Sequence, residues 1–167
     1  ADYSSSWAFP SGVWSSLKEG INYISVRSSD AAGNYSETAD VFYVKKDTTA
    51  PSITDAQGDE TVWHAANTGS YNVDFNDNSS GISKFQLKVT SGPGQTGTVL
   101  ADWTDNLTNI NSPSYQADWG VSAAIWDLIA SGTSYVSVRV FDAAGLQVTL
   151  ADAFKILKDT VPPSALT

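Results

Sequence analysis

Cysteine is absent from the 167 residues. That excludes disulfide frameworks, thiolate zinc sites and cysteine nucleophiles together. Methionine is absent too, position 1 included, so the chain is expected not to begin where translation began. Ala1 opens no signal peptide, since neither a basic start nor an apolar stretch follows it. Histidine occurs once, at His64 beside Trp63, with no nucleophile-elbow pattern to accompany it, and reads as a packing residue. Paired carboxylates for glycoside hydrolysis need a cleft, which a narrow domain of this size scarcely offers. Basic residues are scarce, with 9 Lys and Arg against 18 Asp and Glu and a net charge of −9. They form no patch. Phosphate backbones and anionic bilayers need clustered cations, so neither nucleic acid nor a membrane surface is an expected partner. The apolar runs are strand-sized, which excludes helical membrane insertion.

What the chain does have is a copy of itself. Residues 7 to 54 and 119 to 166 align without a gap at a constant offset of 112. The pairs include Trp7/Trp119, Trp14/Trp126, Gly20/Gly132, Tyr23/Tyr135, Val26/Val138, Arg27/Arg139, Phe42/Phe154, Lys46/Lys158 and Pro51/Pro163, with Asp30-Ala31-Ala32-Gly33 over Asp142-Ala143-Ala144-Gly145. Repetition at a fixed period signals an array of units that act by geometry. The period divides the chain into the C-terminal half of one unit (1–47), one complete unit (48–159) and a linker into a next unit (160–167).

Within the unit the dominant pattern is alternation. Tyr71-Asn72-Val73-Asp74-Phe75, Phe85-Gln86-Leu87-Lys88-Val89 and Val136-Ser137-Val138-Arg139-Val140 switch apolar and polar with period two, the mark of half-buried strands. Turn chemistry separates them at Asn76–Gly81, Ser91–Gly94 and Asp142–Gly145. The expected strands are A (52–62), B (70–76), C (82–90), an edge strand (99–104), E (123–128), F (134–141) and G (147–157). Val121 to Ile129 is read as strand because its counterpart, Gly12 to Leu17, is Ser-rich and short. About seven strands in 112 residues predict an all-β antiparallel sandwich. Lys46-Asp47-Thr48-Thr49-Ala50-Pro51 and Lys158 to Pro163 read as stiff linkers, because proline ends a strand and fixes φ. The first 47 residues then carry E, F and G without A, B and C. Such a half sandwich leaves one face and a sheet edge uncovered.

Glu19 to Asn34, the linker Lys45 to Pro51, and the Trp63, Asn67, Tyr71–Phe75 and Asp77–Ile82 segment together resemble the bacterial Ig-like tandem repeats, fibronectin-III-like surface-protein modules. The resemblance covers nearly all of the chain apart from Ser91 to Asn111. It implies an Ig-like sandwich in an extracellular or cell-surface protein, used as a spacer, adhesin stalk or filament unit, with neighbouring repeats or other copies as partners. The alternative it leaves is an accessory carbohydrate-binding module of a secreted polysaccharide-degrading enzyme. Some residues depart from the family pattern. Asn22 and Ser134 stand where a strand F tyrosine is usual, strand C lacks a tryptophan, and Leu146 replaces Asn34, so the two F–G turns are expected to differ in shape.

In that fold the B–C and F–G turns lie at the pole where the preceding linker arrives, which makes Asp47, Asp74, Asp77 and Asp142 candidate calcium ligands. Calcium takes six to eight oxygens from carboxylates and carbonyls. The competing role is turn capping, and no EF-hand run is present. Trp103, in the polar run Ala101 to Asp105, is the candidate exposed aromatic for a polysaccharide, with packing on the edge strand as the competing role. Trp14 and Trp126 are expected in the core, Trp7 and Trp119 at an edge or against a neighbouring domain, and Pro51 and Pro163 are structural. Tyr23/Arg27 and Tyr135/Arg139, on the outward face of strand F, are expected to pair as cation–π contacts.

Overall fold

The computed structural model describes residues 5–58 and 60–164. The first four residues of the predicted half unit, Asp59 of predicted strand A and the last three residues of the predicted linker lie outside them. The chain is mostly β and divides into two compact units, ending and beginning at Thr48 and Thr49.

In the second unit, β3 (Ser52–Asp55), β5 (Val73–Asn76) and β8 (Ser114–Tyr115) form one sheet in that order. The other sheet runs β4 (Trp63–His64), β10 (Gln147–Lys158), β9 (Gly132–Asp142), β6 (Ile82–Gly92) and β7 (Thr96–Ser112). All pairings are antiparallel except β4 on β10. Alternation decides which side chains turn inward. Val136, Val138 and Val140 of β9 and Phe85, Leu87 and Val89 of β6 are fully buried, and they meet Val73 and Phe75 of β5 in one core. Aromatic packing fills its centre. The Trp119 ring lies 4.7 Å from that of Phe85, and Tyr71 stacks on Phe154 at 3.9 Å.

Two elements differ from the sequence expectation. The segment expected as strand E is α2 (Ala123–Trp126), a single helical turn. Its apolar residues Val121, Ile125, Trp126 and Ile129 recur at helical spacing, with all four buried and two alanines in the first turn. The strand beside β5 is instead the two-residue β8. The expected edge strand at 99–104 is much longer, spanning 17 residues in β7. Repeated register shifts and left-handed Asn109 and Asn111 keep that edge irregular, as unpaired edges commonly are.

In the first unit, α1 (Ser11–Ser16) precedes a hairpin of β1 (Gly20–Ser29) and β2 (Tyr35–Lys46). Helix, not strand, again replaces the expected E segment, its first turn closed by Val13 and Trp14 amides on the Pro10 carbonyl. The hairpin matches β9–β10 pair for pair. Gly20↔Lys46 stands over Gly132↔Lys158, and Ile24↔Phe42 over Val136↔Phe154. The same bulge interrupts both, with left-handed Asp40 and Asp152 at its apex, φ 50° and 51°. Their amides donate to Ser25 Oγ and Ser137 Oγ at 3.2 and 3.1 Å. The turns also match, against expectation. The Asp30 and Asp142 N–H groups each donate to the carbonyl of the residue four positions on, at 2.9 and 3.1 Å, and their Oδ1 atoms accept the amide of that same residue, at 2.9 and 2.8 Å. Glycine takes the left-handed position in both, Gly33 at φ 89° and Gly145 at 90°, so the change from Asn34 to Leu146 meets no strain.

Where the hairpins differ is in cover. No described residue of the first unit is buried, whereas their counterparts build the second unit's core. Phe154→Ala is therefore expected to cost about 3–5 kcal/mol. Phe42→Ala, at the corresponding place, should cost less than about 1 kcal/mol, read by denaturant unfolding. Burial pushes the Tyr71 hydroxyl up to about 12, with Glu60 adding to the shift. A raised folded value stabilises fully below the unfolded value of 10 and is lost as pH rises towards 12. The second unit's Tm should fall across that window, and Tyr71→Phe should flatten the fall.

Candidate functional site

The acidic pole of the second unit is built by two turns. Asp77 ends the path of β5, and its Oδ1 accepts from the backbone N–H groups of Ser79, Ser80 and Gly81 at 3.1, 2.9 and 2.7 Å. Gly81 sits at φ 85°, and a Cβ there would lie 3.1 Å from the Ser112 carbonyl oxygen, so this turn admits only glycine without strain. Asp142 ends β9, and its Oδ1 accepts from the Leu146 amide at 2.8 Å. The two turns are tied together. Ala143 N–H donates to the Gly81 carbonyl at 2.9 Å, Ala144 N–H to Ser80 Oγ at 3.2 Å, and Ser83 Oγ–H to the Asp142 carbonyl at 2.8 Å.

Asp77 and Asp142 are both buried, and carboxylate oxygens of the two lie within 4.8 Å of each other. The structure therefore brings these two candidates together. Asp74 stands apart from that grouping, on β5, with one carboxylate oxygen buried and without a hydrogen-bond partner among the described residues. Asp47 belongs to the first unit and follows β2 directly. The donor chemistry of the pole suits calcium in kind, being carboxylates beside turn carbonyls. Both carboxylates, however, accept from backbone N–H groups of their own turns, the hydrogen bonding of a turn cap.

The outward face of β7, β6 and β9 is the second cluster. The Arg139 guanidinium lies 4.3 Å from the Trp103 ring centroid and 5.3 Å from that of Phe141. It also donates to Gln86 Oε1 at 3.1 and 2.5 Å. Beside it Lys84 meets Asp105 at 2.9 Å and Lys88 meets Asp102 at 3.3 Å. The Lys84 and Gln86 bonds hold the Asp105 carboxyl below its ordinary value. Asp102 is lowered as well, by the Trp103 backbone and then by Lys88. Trp103, a candidate for either exposure or edge-strand packing, is half-buried on β7 with the Arg139 guanidinium over its ring. The expected Tyr135/Arg139 and Tyr23/Arg27 contacts give way to other partners, Trp103 and Phe141 for Arg139 and Tyr35 at 4.6 Å for Arg27. Cross-strand neighbours lie closer than residues four apart on one strand.

Trp126 is buried in the core as expected, while Trp14 is exposed in the first unit. Trp119, expected at an edge or against a neighbouring domain, is instead buried in the core of its own unit, and its Nε1–H donates to the Val73 carbonyl at 2.9 Å. Pro51 is buried and Pro163 exposed. His64 is a packing residue, its Nε2 3.3 Å from Glu60 Oε2 and its Nδ1 3.3 Å from Thr68 Oγ1.

Sequence reasoning passed over Lys158. Its buried ammonium donates to the Trp126 and Ile129 carbonyls at 2.9 and 2.7 Å and lies 4.7 Å from the Trp126 ring. It caps the end of α2, where carbonyls lack intrahelical partners. Lys46 makes the equivalent bonds to Trp14 and Leu17, at 3.3 and 2.8 Å. The signal was available, since one lysine ends an apolar strand in both copies.

No protein-family model matches the chain, and no curated protein sequence matches it significantly.

If the pole serves its turns, Asp77→Ala costs about 1–3 kcal/mol, equally in calcium and in chelator. Asp77→Asn, which keeps an acceptor oxygen, should cost less. A loss confined to the calcium arm would assign the pole to metal instead.

Proposed function

We propose that the chain is a non-enzymatic structural polypeptide made of tandem Ig-like repeats of 112 residues, which serves as a spacer, stalk or filament unit at an extracellular surface. The observation that carries this reading is the pair-for-pair agreement of β1–β2 with β9–β10, bulge and turn included. Two copies that build one hairpin in one register share a structural task, and an array of such units acts through length and stiffness. The second unit's strand order supports the Ig-like reading. A three-stranded sheet faces a longer one, and a short strand, β4, crosses to pair in parallel with the last. In this reading its partners are neighbouring repeats and other copies of itself.

The accessory-module reading has one observation in its favour, an aromatic residue on the outward sheet face at Trp103. The guanidinium over that ring already occupies one face that a sugar would stack on, so the structural reading is preferred. Determining the parent polypeptide's sequence separates the two. Further 112-residue units in series are the expected result, whereas a catalytic domain beside this one would favour the module. A pull-down on insoluble polysaccharide should leave the chain in the supernatant; retention that is lost in Trp103→Ala would overturn the proposal.

A further inference from the structure

The exposed sheet of the first unit has a definite complement, because the second unit shows what covers the same residues. There β9 pairs on its second edge with β6, Phe85 opposite Val140, Leu87 opposite Val138 and Val89 opposite Val136. Tyr71 stacks on Phe154, and the Val73 carbonyl receives the Trp119 indole N–H. All these covering groups come from residues 71–89. In the first unit, β1 pairs only with β2 among the described residues. The counterpart side chains are left in solvent: Trp7 is 52% exposed against 6% for Trp119, Trp14 42% against 8% for Trp126, and Phe42 38% against 4% for Phe154. Trp7, Phe9 and Phe42 gather against one another, with ring centroids 5.7 to 6.3 Å apart. Trp7, Phe9, Val26 and Phe42 thus form an exposed apolar patch, giving way to Ser28, Ser36 and Thr38 towards the turn, beside a free sheet edge, the combination that β-strand addition uses.

We infer that this face is the seat of a further strand set of the kind residues 49–112 provide, delivered in cis from the N-terminal side. Three features select that occupant. The register and bulge of β1–β2 are already those of a hairpin that accepts β6, so its fit needs no rearrangement. The face calls for an alternating strand on the β1 edge, an aromatic ring over Phe42 and a carbonyl for the Trp7 indole, all of which such a segment carries at the right spacing. A second copy of this chain is a poor donor, since its own residues 49–112 are engaged by its own β9 and β10. Direct covalent attachment also supplies a high effective concentration without an interface of its own. The inference rests on the correspondence of the two hairpins, as the array reading does. It is tested on a different readout from the parent sequence, so either can fail alone.

The absence of cysteine permits a direct test. Val26→Cys places one thiol on the exposed face, and Val138→Cys places one at the buried counterpart. Each is made in the chain as it stands and in a chain carrying a second copy of residues 49–112 joined ahead of Ala1, and maleimide labelling rates are measured. In the original chain the thiol at 26 should label fast and the one at 138 slowly. In the extended chain labelling at 26 should slow by at least about 100-fold, the scale of a stable local closure. An unchanged rate at 26, with the thiol at 138 still protected as the control for folding, would overturn the inference. Protection at 26 that grows with the concentration of the original chain, alongside dimers in sedimentation, would overturn it in favour of a second copy.

Discussion

The second unit depends on one constraint: β9 must be hydrogen-bonded on both edges and covered on its inward face at once. Its alternating valines bury completely because β6 closes one edge, β10 the other, and Val73 and Phe75 lie across the core. Each buried valine contributes about 1.5–3 kcal/mol by leaving water, and each backbone group it carries into the interior needs a partner. Neither condition holds without the other strands. The hairpin β1–β2 meets the second condition along one edge only and the first hardly at all, although it keeps the same register; Ser28, Ser36 and Thr38 also stand where the second unit has Val140, Val148 and Leu150. One pairing register thus occurs with very different burial, which locates the stability of this fold in the assembly of strands and not in the hairpin.

The polar groups that recur in both copies serve the same end. Lys46 and Lys158 close the open carbonyls of a helical turn, Asp30 and Asp142 close a strand connection, and Ser25 and Ser137 hold the amide freed by a bulge. Each satisfies backbone that the chain reversal leaves without a ladder partner. The acidic pole belongs to this class, since the buried Asp77 gathers three amides of the turn that follows it. Its charge therefore has a structural cause before any ligand is considered.

Alternation made β5, β6, β9 and β10 legible before any coordinates, and the internal copy made the hairpin legible twice. The helical turns were not legible in the same way. Ile125 and Trp126 are adjacent and both apolar, which period two cannot accommodate, and the Ser-rich counterpart at 11–16 drew the reading towards strand. Trp119 was misplaced because its neighbours are small and polar, while its burial is decided by Phe85 and Val73, far off in sequence. The outward cluster escaped for the same reason: Arg139 reaches Trp103 and Gln86 across strands, and no spacing along one strand announces such a contact. Of the acidic candidates, Asp77 and Asp142 could be grouped from the order of turns in the fold. Asp74 was legible as a residue of the strand and not of the turn, and it lies along β5 accordingly.

Residue-resolved amide hydrogen exchange on the chain as it stands tests the central claim most directly. The account predicts strong protection along β9 at Val136, Val138 and Val140, approaching the global stability of the second unit. It predicts weak protection at their counterparts Ile24, Val26 and Ser28 in β1, despite the shared register. Equal protection of β1 and β9 in the monomeric chain would contradict it, because the hairpin would then be stable without the strands that cover its copy.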